Sequence, residues 1–400
     1  MFQGTEITVR ELDSSMTPTG NTFTGTIDDN TGSFSIKGTL TYKIVELSAI
    51  GYYFNEVSGS LSNATLTLSA LSDLTDSSSV NVNLMTHLEK KRVEYLMDNS
   101  GKTFAAAKTQ AQAEILKMFN IDNVTLGNSE TLDISKSGDG NAVLLAISAI
   151  LQSDKTEAEL TELLSTINTD IRTDGTLDST TTKATLVTAM EYLKSRRSTI
   201  RTNIESRYSN LGISATIPAF ESYAFKLDTT VPTVCATSYD NSSCSTSMSD
   251  NGSVSDNGSV TSIDNSYVLA SSSISVSFSD SMDSSSLTTN TTNTNCTGSF
   301  QISSDSFSSC IKMASNPTAS SDTKTFTITP SSNFSNFTTY KIRITTAAKD
   351  VGGNTLSDQF TTTTGFTAVV TPTIKWFEGS TSGGYGTSGG AVGSAGGWGR

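Results

Sequence analysis

At Asn81 the apolar residues of this chain change period, and that change constrains the fold more than any other feature. Upstream, over residues 5 to about 74, they alternate: Ile7, Val9 and Leu12 are set against Thr8, Arg10 and Glu11, and Leu66 and Leu68 share one side of a later segment. Beyond Asn81 they recur at helical spacing, so that Phe104, Ala107, Ala111, Ile115, Met118 and Phe119 follow at intervals of three, four, four, three and one. From Ser271 the alternation returns, with Ile274, Val276 and Phe278 against Ser273, Ser275 and Ser277. Such a chain builds strands, then helices, then strands, and its 400 residues exceed what one hydrophobic core holds.

Turn chemistry punctuates the first segment. Pro18, Thr19, Gly20 and Asn21 read as a turn, residues 23–27 as a second strand, residues 28–32 as a tight turn, and residues 33–36 as a third strand with Phe34 and Ile36 on one face. Residues 42–50 and 64–70 add two more strands. The helical stretch opens over 81–99, with Leu84, Leu88, Leu96 and Met97 sharing a face, breaks at Ser100 and Gly101, and restarts with Thr103 as N-cap. Gly138, Asp139 and Gly140 precede a helix that runs to Leu151. Thr156 and Glu159 have the spacing of a capping box ahead of a stripe of Leu160, Leu163, Leu164, Ile167 and Ile171. Residues 184–193 and a last segment carrying Ile200, Ile204 and Tyr208 complete about five helices, enough for a small bundle.

Composition narrows the function classes. Lys and Arg number 26 against 39 Asp and Glu, a net charge of −13 that repels phosphate backbones and anionic lipid at long range, so no nucleic-acid partner is expected. Only 16% of residues are charged, and Ser, Thr and Asn supply the missing polarity, as in exposed β-rich modules rather than a cytosolic enzyme. The longest apolar run, at 142–151, is well short of the roughly 18 to 20 residues that cross a bilayer and reads as a buried helix. Residues 1–6 carry neither a basic region nor a long apolar core, so a mature or truncated form is expected.

Four cysteines form two local pairs, Cys235/Cys244 and Cys296/Cys310, a spacing that suits disulfides in an oxidising compartment. The competing reading is a zinc site of four thiolates, although zinc ligands are usually spaced by two to four residues and here eight and thirteen intervene. The first pair closes a long surface insertion in which Asp-Asn-Gly-Ser-Val repeats at 250–254 and 256–260, and the second closes a 15-residue loop.

Three resemblances accompany these patterns. The progression TIDDNTGSFSI then YKIVELSAIGYYF, with Asp28, Gly32, Phe34, Gly51 and Tyr52 at its key positions, resembles carboxypeptidase regulatory-like (transthyretin-like) β-sandwich domains, which implies a structural stalk. The combination GYYFNEVSGSLS, VNLMTHLEKKRVEYLM, FAAAKTQAQAEILKMF and NAVLLAISAILQ resembles a bacterial family of exported, often lipid-anchored surface proteins over roughly residues 1 to 225. That resemblance implies a lipid anchor upstream of Met1. FSDSMDSSSL, FTITP, TYKIRIT, KDVGGNTL and FTTTT then follow in the order of bacterial Ig-like domains of the S-layer (SbsA) type.

Catalytic motifs fail on context. His87 is the sole histidine and lies at a helix start, where capping or packing is the expected role rather than a Ser-His-Asp triad. Residues 386–390 match G-x-S-x-G in a Gly/Ser-rich tail without the strand and helix that a nucleophile elbow needs. Ser321 and Lys324 match S-x-x-K in a Ser-rich turn. Acidic clusters remain: Asp280 and Asp283, Asp350 and Asn354, and Asp170, Asp174 and Asp178. Oxygen-rich turns of this kind hold calcium, and the same side chains cap turns without metal by accepting backbone N–H bonds.

The expected architecture is therefore multidomain α+β: a regulatory-like β-sandwich over 1–78, an α-helical bundle over 79–226, an Ig-like β-sandwich over 227–370 and a disordered Gly-rich tail over 371–400 carrying Trp376, Phe377 and Trp398. The expected function is a non-catalytic extracellular or cell-surface structural and interaction protein with no cofactor beyond a calcium candidate. Its partners would be other surface proteins or glycans. The alternative is the carbohydrate- or cell-wall-binding portion of a larger secreted protein.

Overall fold

The computed structural model describes residues 3–76, 78–238 and 263–370. Its first part contains β1 (Glu6–Leu12), β2 (Pro18–Thr26), β3 (Ile44–Gly51), β4 (Phe54–Asn55), β5 (Ser60–Leu61) and β6 (Leu66–Asp73). Four of these form an antiparallel sheet in the order β2-β1-β3-β6, and β4 and β5 pair as a separate hairpin. Two details differ from the sequence reading. Pro18 to Asn21 is strand, not turn, because β2 is an edge strand whose first residue can lack an N–H without breaking the ladder. Residues 33–36 contribute a single bridge, Phe34 to Ile27, so the N-terminal layer is one sheet backed by helix where a two-sheet sandwich was expected.

Seven α-helices follow among the described residues: α1 (Leu84–Ser100), α2 (Phe104–Met118), α3 (Asp139–Gln152), α4 (Glu157–Asp170), α5 (Thr180–Lys194), α6 (Arg197–Asn210) and the short α7 (Glu221–Ala224). Asn83 caps α1 in a reciprocal box with Thr86. Gly101 ends it at φ 60°, a left-handed turn that glycine adopts without strain. The Thr156/Glu159 box forms as its spacing implies. Helix α3 is buried on all sides from Ala142 to Gln152 and forms the axis of the largest apolar cluster, which also takes in Val57 and Leu66 from the N-terminal layer. Thus sheet and helices share one core.

The first turn of α1 also finishes the sheet. As an edge strand, β6 presents unpaired backbone groups that cost free energy if buried without partners. Here the Ser69 N–H donates to His87 Nδ1 at 3.2 Å, and Thr86 Oγ1 donates to the Ser69 carbonyl at 3.1 Å. The neighbouring Asn81 and Asn83 amides donate to the Leu132 and Ser129 carbonyls at 3.1 and 2.7 Å. Lys108 of α2 meets Glu89 and Glu130 at 2.6 and 2.9 Å, and Ser129 donates to the same Glu89.

The last part is a sandwich of β7 (Val234–Ser238), β8 (Tyr267–Leu269), β9 (Ile274–Phe278), β10 (Phe300–Ser303), β11 (Thr318–Ala319), β12 (Thr325–Ile328), β13 (Thr339–Ile344), β14 (Phe360–Thr361) and β15 (Phe366–Val369). One sheet runs β10-β13-β15-β8 with β14 beside β13, and the other runs β11-β12-β9-β7. All pairs are antiparallel except β15 with β8. Phe278, Phe300, Phe326 and Phe366 fill the space between the sheets. On the other side of β9, hydroxyls pair across the strands, Ser275 with Thr327 at 2.7 Å and Ser277 with Thr325 at 2.8 Å, which gives the Ser/Thr alternation a structural use. The mixed α+β class expected from the change of period is the class observed.

The cysteine expectations divide. Cys296 is disulfide-bonded to Cys310, as their spacing suggested. For the expected disulfide between Cys235 and Cys244, Cys235 falls in β7, but Cys244 lies outside the described residues, so that pairing is not among the bonds the structure describes. The Asp-Asn-Gly-Ser-Val repeats and the Gly-rich tail also lie outside the described residues.

Two measurements follow from these contacts. His87 can accept the Ser69 N–H only when Nδ1 is unprotonated, and burial, aided by Lys90 and Lys91, holds its pKa at about 4 against an ordinary 6.5. The unfolded chain therefore binds the proton more readily. Its contribution is fully present above pH 6.5 and is lost as pH falls toward 4, by about 3 kcal/mol at most. Urea titrations across that range should show this loss, and His87→Gln should flatten the slope. For the disulfide, Cys296→Ser with Cys310→Ser should lower the stability of the sandwich by about 3 kcal/mol in the same assay, as expected for opening a loop of this length.

Candidate functional site

A second concentration of buried charge, besides that of Lys108, lies where the helices meet the sandwich. Lys194 ends α5, where a cation complements the exposed carbonyls of the helix terminus. The short α7 brings the chain back, and Asp228 follows it with its N–H bonded to the Phe225 carbonyl and its Oδ1 accepting the Thr230 N–H at 2.9 Å. Asp280 follows β9, its Oδ1 accepting the Ser281 N–H at 2.7 Å. These local bonds leave one oxygen of each aspartate directed at the lysine.

Lys194 Nζ donates to Asp228 Oδ2 and Asp280 Oδ2, both at 2.7 Å, and lies 2.9 Å from Glu191 Oε1. The Lys194, Asp228 and Asp280 side chains are 5%, 0% and 9% exposed and form a buried ion triplet, while Glu191 approaches it from an exposed position on α5. Burial opposes the ammonium, but the bonds from Asp228, Asp280 and Glu191 outweigh it and hold the lysine pKa above its ordinary value. Asp350 lies close by, paired with Met282 in a β-bridge, and its carboxylate accepts the Asn354 N–H at 2.8 Å and the Asn354 amide at 3.0 Å. Burial raises the Asp350 carboxyl, those bonds lower it, and the charges of Asp228 and Asp280 raise it further, with a net upward shift.

The backbone fits this cluster closely. Asn354 Nδ2 donates to the Asp228 carbonyl at 3.2 Å, and a Cβ at Gly352 would stand 2.9 Å from Asp228 Cβ. Val351 packs against the helical core, and Arg197 at the start of α6 donates to Thr323 Oγ1 at 2.7 Å. Three carboxylate oxygens here, from Glu191, Asp228 and Asp280, lie within 4.8 Å of one another, a spacing that would suit a cation. The ammonium of Lys194 bonds to all three and serves as their cation.

Of the acidic residues singled out in the sequence, the structure brings Asp280, Asp350 and Asn354 to this junction. Asp283 does not join them: its Oδ1 accepts the Ser285 N–H and hydroxyl at 2.9 and 2.8 Å. Asp170 accepts the Asp178 and Ser179 N–H groups at 2.9 Å each, and Asp174 accepts that of Thr176. Those oxygens are used in turns. Lys324 reaches the Ser279 carbonyl at 3.0 Å. His87 is committed to β6. Of the four cysteines, Cys296 and Cys310 use their sulfurs on each other, so the four-thiolate zinc alternative is overturned, whereas Cys244, expected to pair with Cys235, is not among the described residues. The G-x-S-x-G match and the tail tryptophans lie outside the described residues as well. Lys194, Glu191 and Asp228 were not anticipated, and the one local signal for Lys194 was a basic residue in the last turn of a helix.

Residues 228–368 match the family model for the bacterial Ig-like domain, less than half of the chain, and the match begins at Asp228 itself. No curated protein matches the chain. Among solved structures, the chain is similar to surface layer protein SbsC, domains 1–6, at 13% identity and a TM-score of 0.22, covering 72% of this chain and 32% of that one. A second, the S-layer protein rSbsC(31–844), gives the same identity and TM-score and 45% coverage of its own length. The chain thus spans less than half of either protein, and at that TM-score the likeness carries no argument. Among the described residues no helix is long and apolar enough to cross a membrane.

Lys194→Met leaves Asp228 and Asp280 buried without a countercharge, a loss of about 3–5 kcal/mol for one partner of a buried pair. Solution scattering at neutral pH should show a larger radius of gyration for this variant than for the wild type. Adding Asp228→Asn and Asp280→Asn to it should restore most of the difference, since of the lysine's three partners only the exposed Glu191 then keeps its charge.

Proposed function

We propose that the chain is a non-catalytic structural component displayed on the outside of a bacterial cell, in which an Ig-like sandwich is held in fixed orientation on a helical unit. The observation that carries this reading is the buried Lys194 junction at the first residue of the Ig-like match. A junction of that kind fixes orientation, and fixed orientation is what a projecting structural module needs. Three further features support it: the two-sheet sandwich, the disulfide of a type that persists in oxidising compartments, and the net negative charge, which disfavours nucleic acid.

In this role no residue performs chemistry on a substrate. The charged groups of the junction are saturated by one another, and His87 is saturated by β6. The partners would be other surface proteins or glycans, met by the exposed faces of the modules. The test is protease treatment of intact cells of the bacterium that makes the protein, followed by mass spectrometry of the released peptides. Peptides from residues 228–368 should be released without lysis. Complete protection until the cells are broken would overturn a surface location.

A further inference from the structure

Where the N-terminal sheet meets the helices, a pocket of about 720 Å³ opens to solvent, a volume within the roughly 300–1,000 Å³ of small-molecule sites. Leu66, Leu144 and Ile204, from β6, α3 and α6, give it an aliphatic wall. Two tyrosines line it as well. Tyr53 stands between β3 and β4, Tyr208 lies on α6, and both are half-buried against the helical core.

A tyrosine withdrawn this far from water ordinarily gives its O–H to a neighbour. Neither of these hydroxyls has a hydrogen-bond partner among the described residues. Gln152 Oε1 nearby is sealed in the interior, but the two phenol oxygens are not, so a molecule in the pocket reaches them. Burial holds both phenols in their O–H form, Tyr53 with its pKa pushed up to about 12, and nearby carboxylates act in the same direction. Glu56 acts on both, which puts the two donors in one neighbourhood. The charged groups of the wall are already engaged. Burial pushes the Glu56 carboxyl up, and Asp133 is paired with Lys136 at 3.0 Å. Arg207 donates to the Asn30 carbonyl at 3.1 Å and lies over the Phe54 ring at 5.6 Å.

We propose that this pocket binds an uncharged amphipathic molecule with a carbonyl end, its apolar body against the aliphatic wall and its carbonyl oxygen accepting from the hydroxyls of Tyr53 and Tyr208. Each part of that description follows from the wall. A hydrocarbon of the same shape displaces water from the two hydroxyls and gives them no acceptor in return. A charged ligand loses its own hydration and meets only countercharges that are bonded elsewhere.

6-Propionyl-2-(dimethylamino)naphthalene is neutral, apolar over most of its surface and carries one carbonyl, and its 6-propyl analogue has the same body without that acceptor. Fluorescence titration of the full chain should show saturable binding of the ketone at one site and about tenfold weaker binding of the propyl compound. The double variant Tyr53→Phe with Tyr208→Phe keeps both rings and loses no bond within the protein, and it should bring the two probes to equal affinity. Ile213→Trp, at a half-buried wall position after α6, should weaken both about tenfold or more while circular dichroism confirms the fold. No saturable binding to the wild type, or equal affinity for the two probes there, would sink the proposal without any variant being needed. Undiminished binding to a folded Ile213→Trp protein, or an unchanged preference in the double variant, would do the same.

Discussion

An ammonium withdrawn from water among carboxylates is stable only while every partner stays in place. Removing each ion from water costs several kcal/mol, and mutual attraction offsets that only when the geometry is close and the remaining polar atoms are bonded. Lys194 meets both conditions at 2.7 Å from Asp228 and Asp280, with each aspartate's second oxygen bonded to a backbone N–H. Its partners come from three pieces of chain: the end of α5, the connection after α7 and the segment after β9. The interaction therefore fixes the sandwich on the helices, and the pieces that supply it cannot separate without leaving charges stranded. Asp350 shares the same space, and its raised carboxyl reflects burial first and the neighbouring negative charges after it.

At the other end of the helices the joining is of a different kind. The β6 edge is closed by two side chains from successive residues of α1, Thr86 and His87, bonded to the carbonyl and the N–H of Ser69. Asn83 caps the same helix and ties it to Ser129, whose hydroxyl in turn serves Glu89. The run opening at Asn81 thus satisfies a helix terminus, a sheet edge and a buried ion pair within ten residues, which gives the hydrogen-bonding side chains at the start of α1 their structural use.

The three-part division is legible in the sequence because hydrophobic period reports secondary structure directly, and capping residues such as Thr103 and Thr156 mark their helices for the same local reason. Register and layering are less so. The segment at 33–36 has the alternation of a strand, but alternation alone does not set pairing, and only Phe34 forms a bridge, to Ile27. The junction was half legible. Asp280 and Asp350 stand out in the sequence as oxygen donors of unknown use, while their countercharge lies 86 positions from Asp280 in a helix with no acidic pattern pointing to it. Local spacing can show that carboxylates need a cation, but it cannot distinguish a metal from a lysine brought in by the fold.

The contrast between the two junctions predicts where the molecule yields. Separating the sandwich from the helices breaks short ionic bonds together, and the cost rises steeply over the first ångström because the stranded charges are not yet hydrated. The N-terminal junction is joined by apolar packing and single hydrogen bonds, and a solvent-open pocket of about 720 Å³ runs along it. Small shifts of β6 against α3 and α6 change the shape of that space without unpairing an ion. Hydrogen bonds limit such shifts, among them those from Arg207 to Asn30 and from Asn203 to the Glu56 and Val57 carbonyls at 3.0 and 3.2 Å. Small adjustments are therefore accommodated on the N-terminal side of the helices, while the orientation of the sandwich is held on the other.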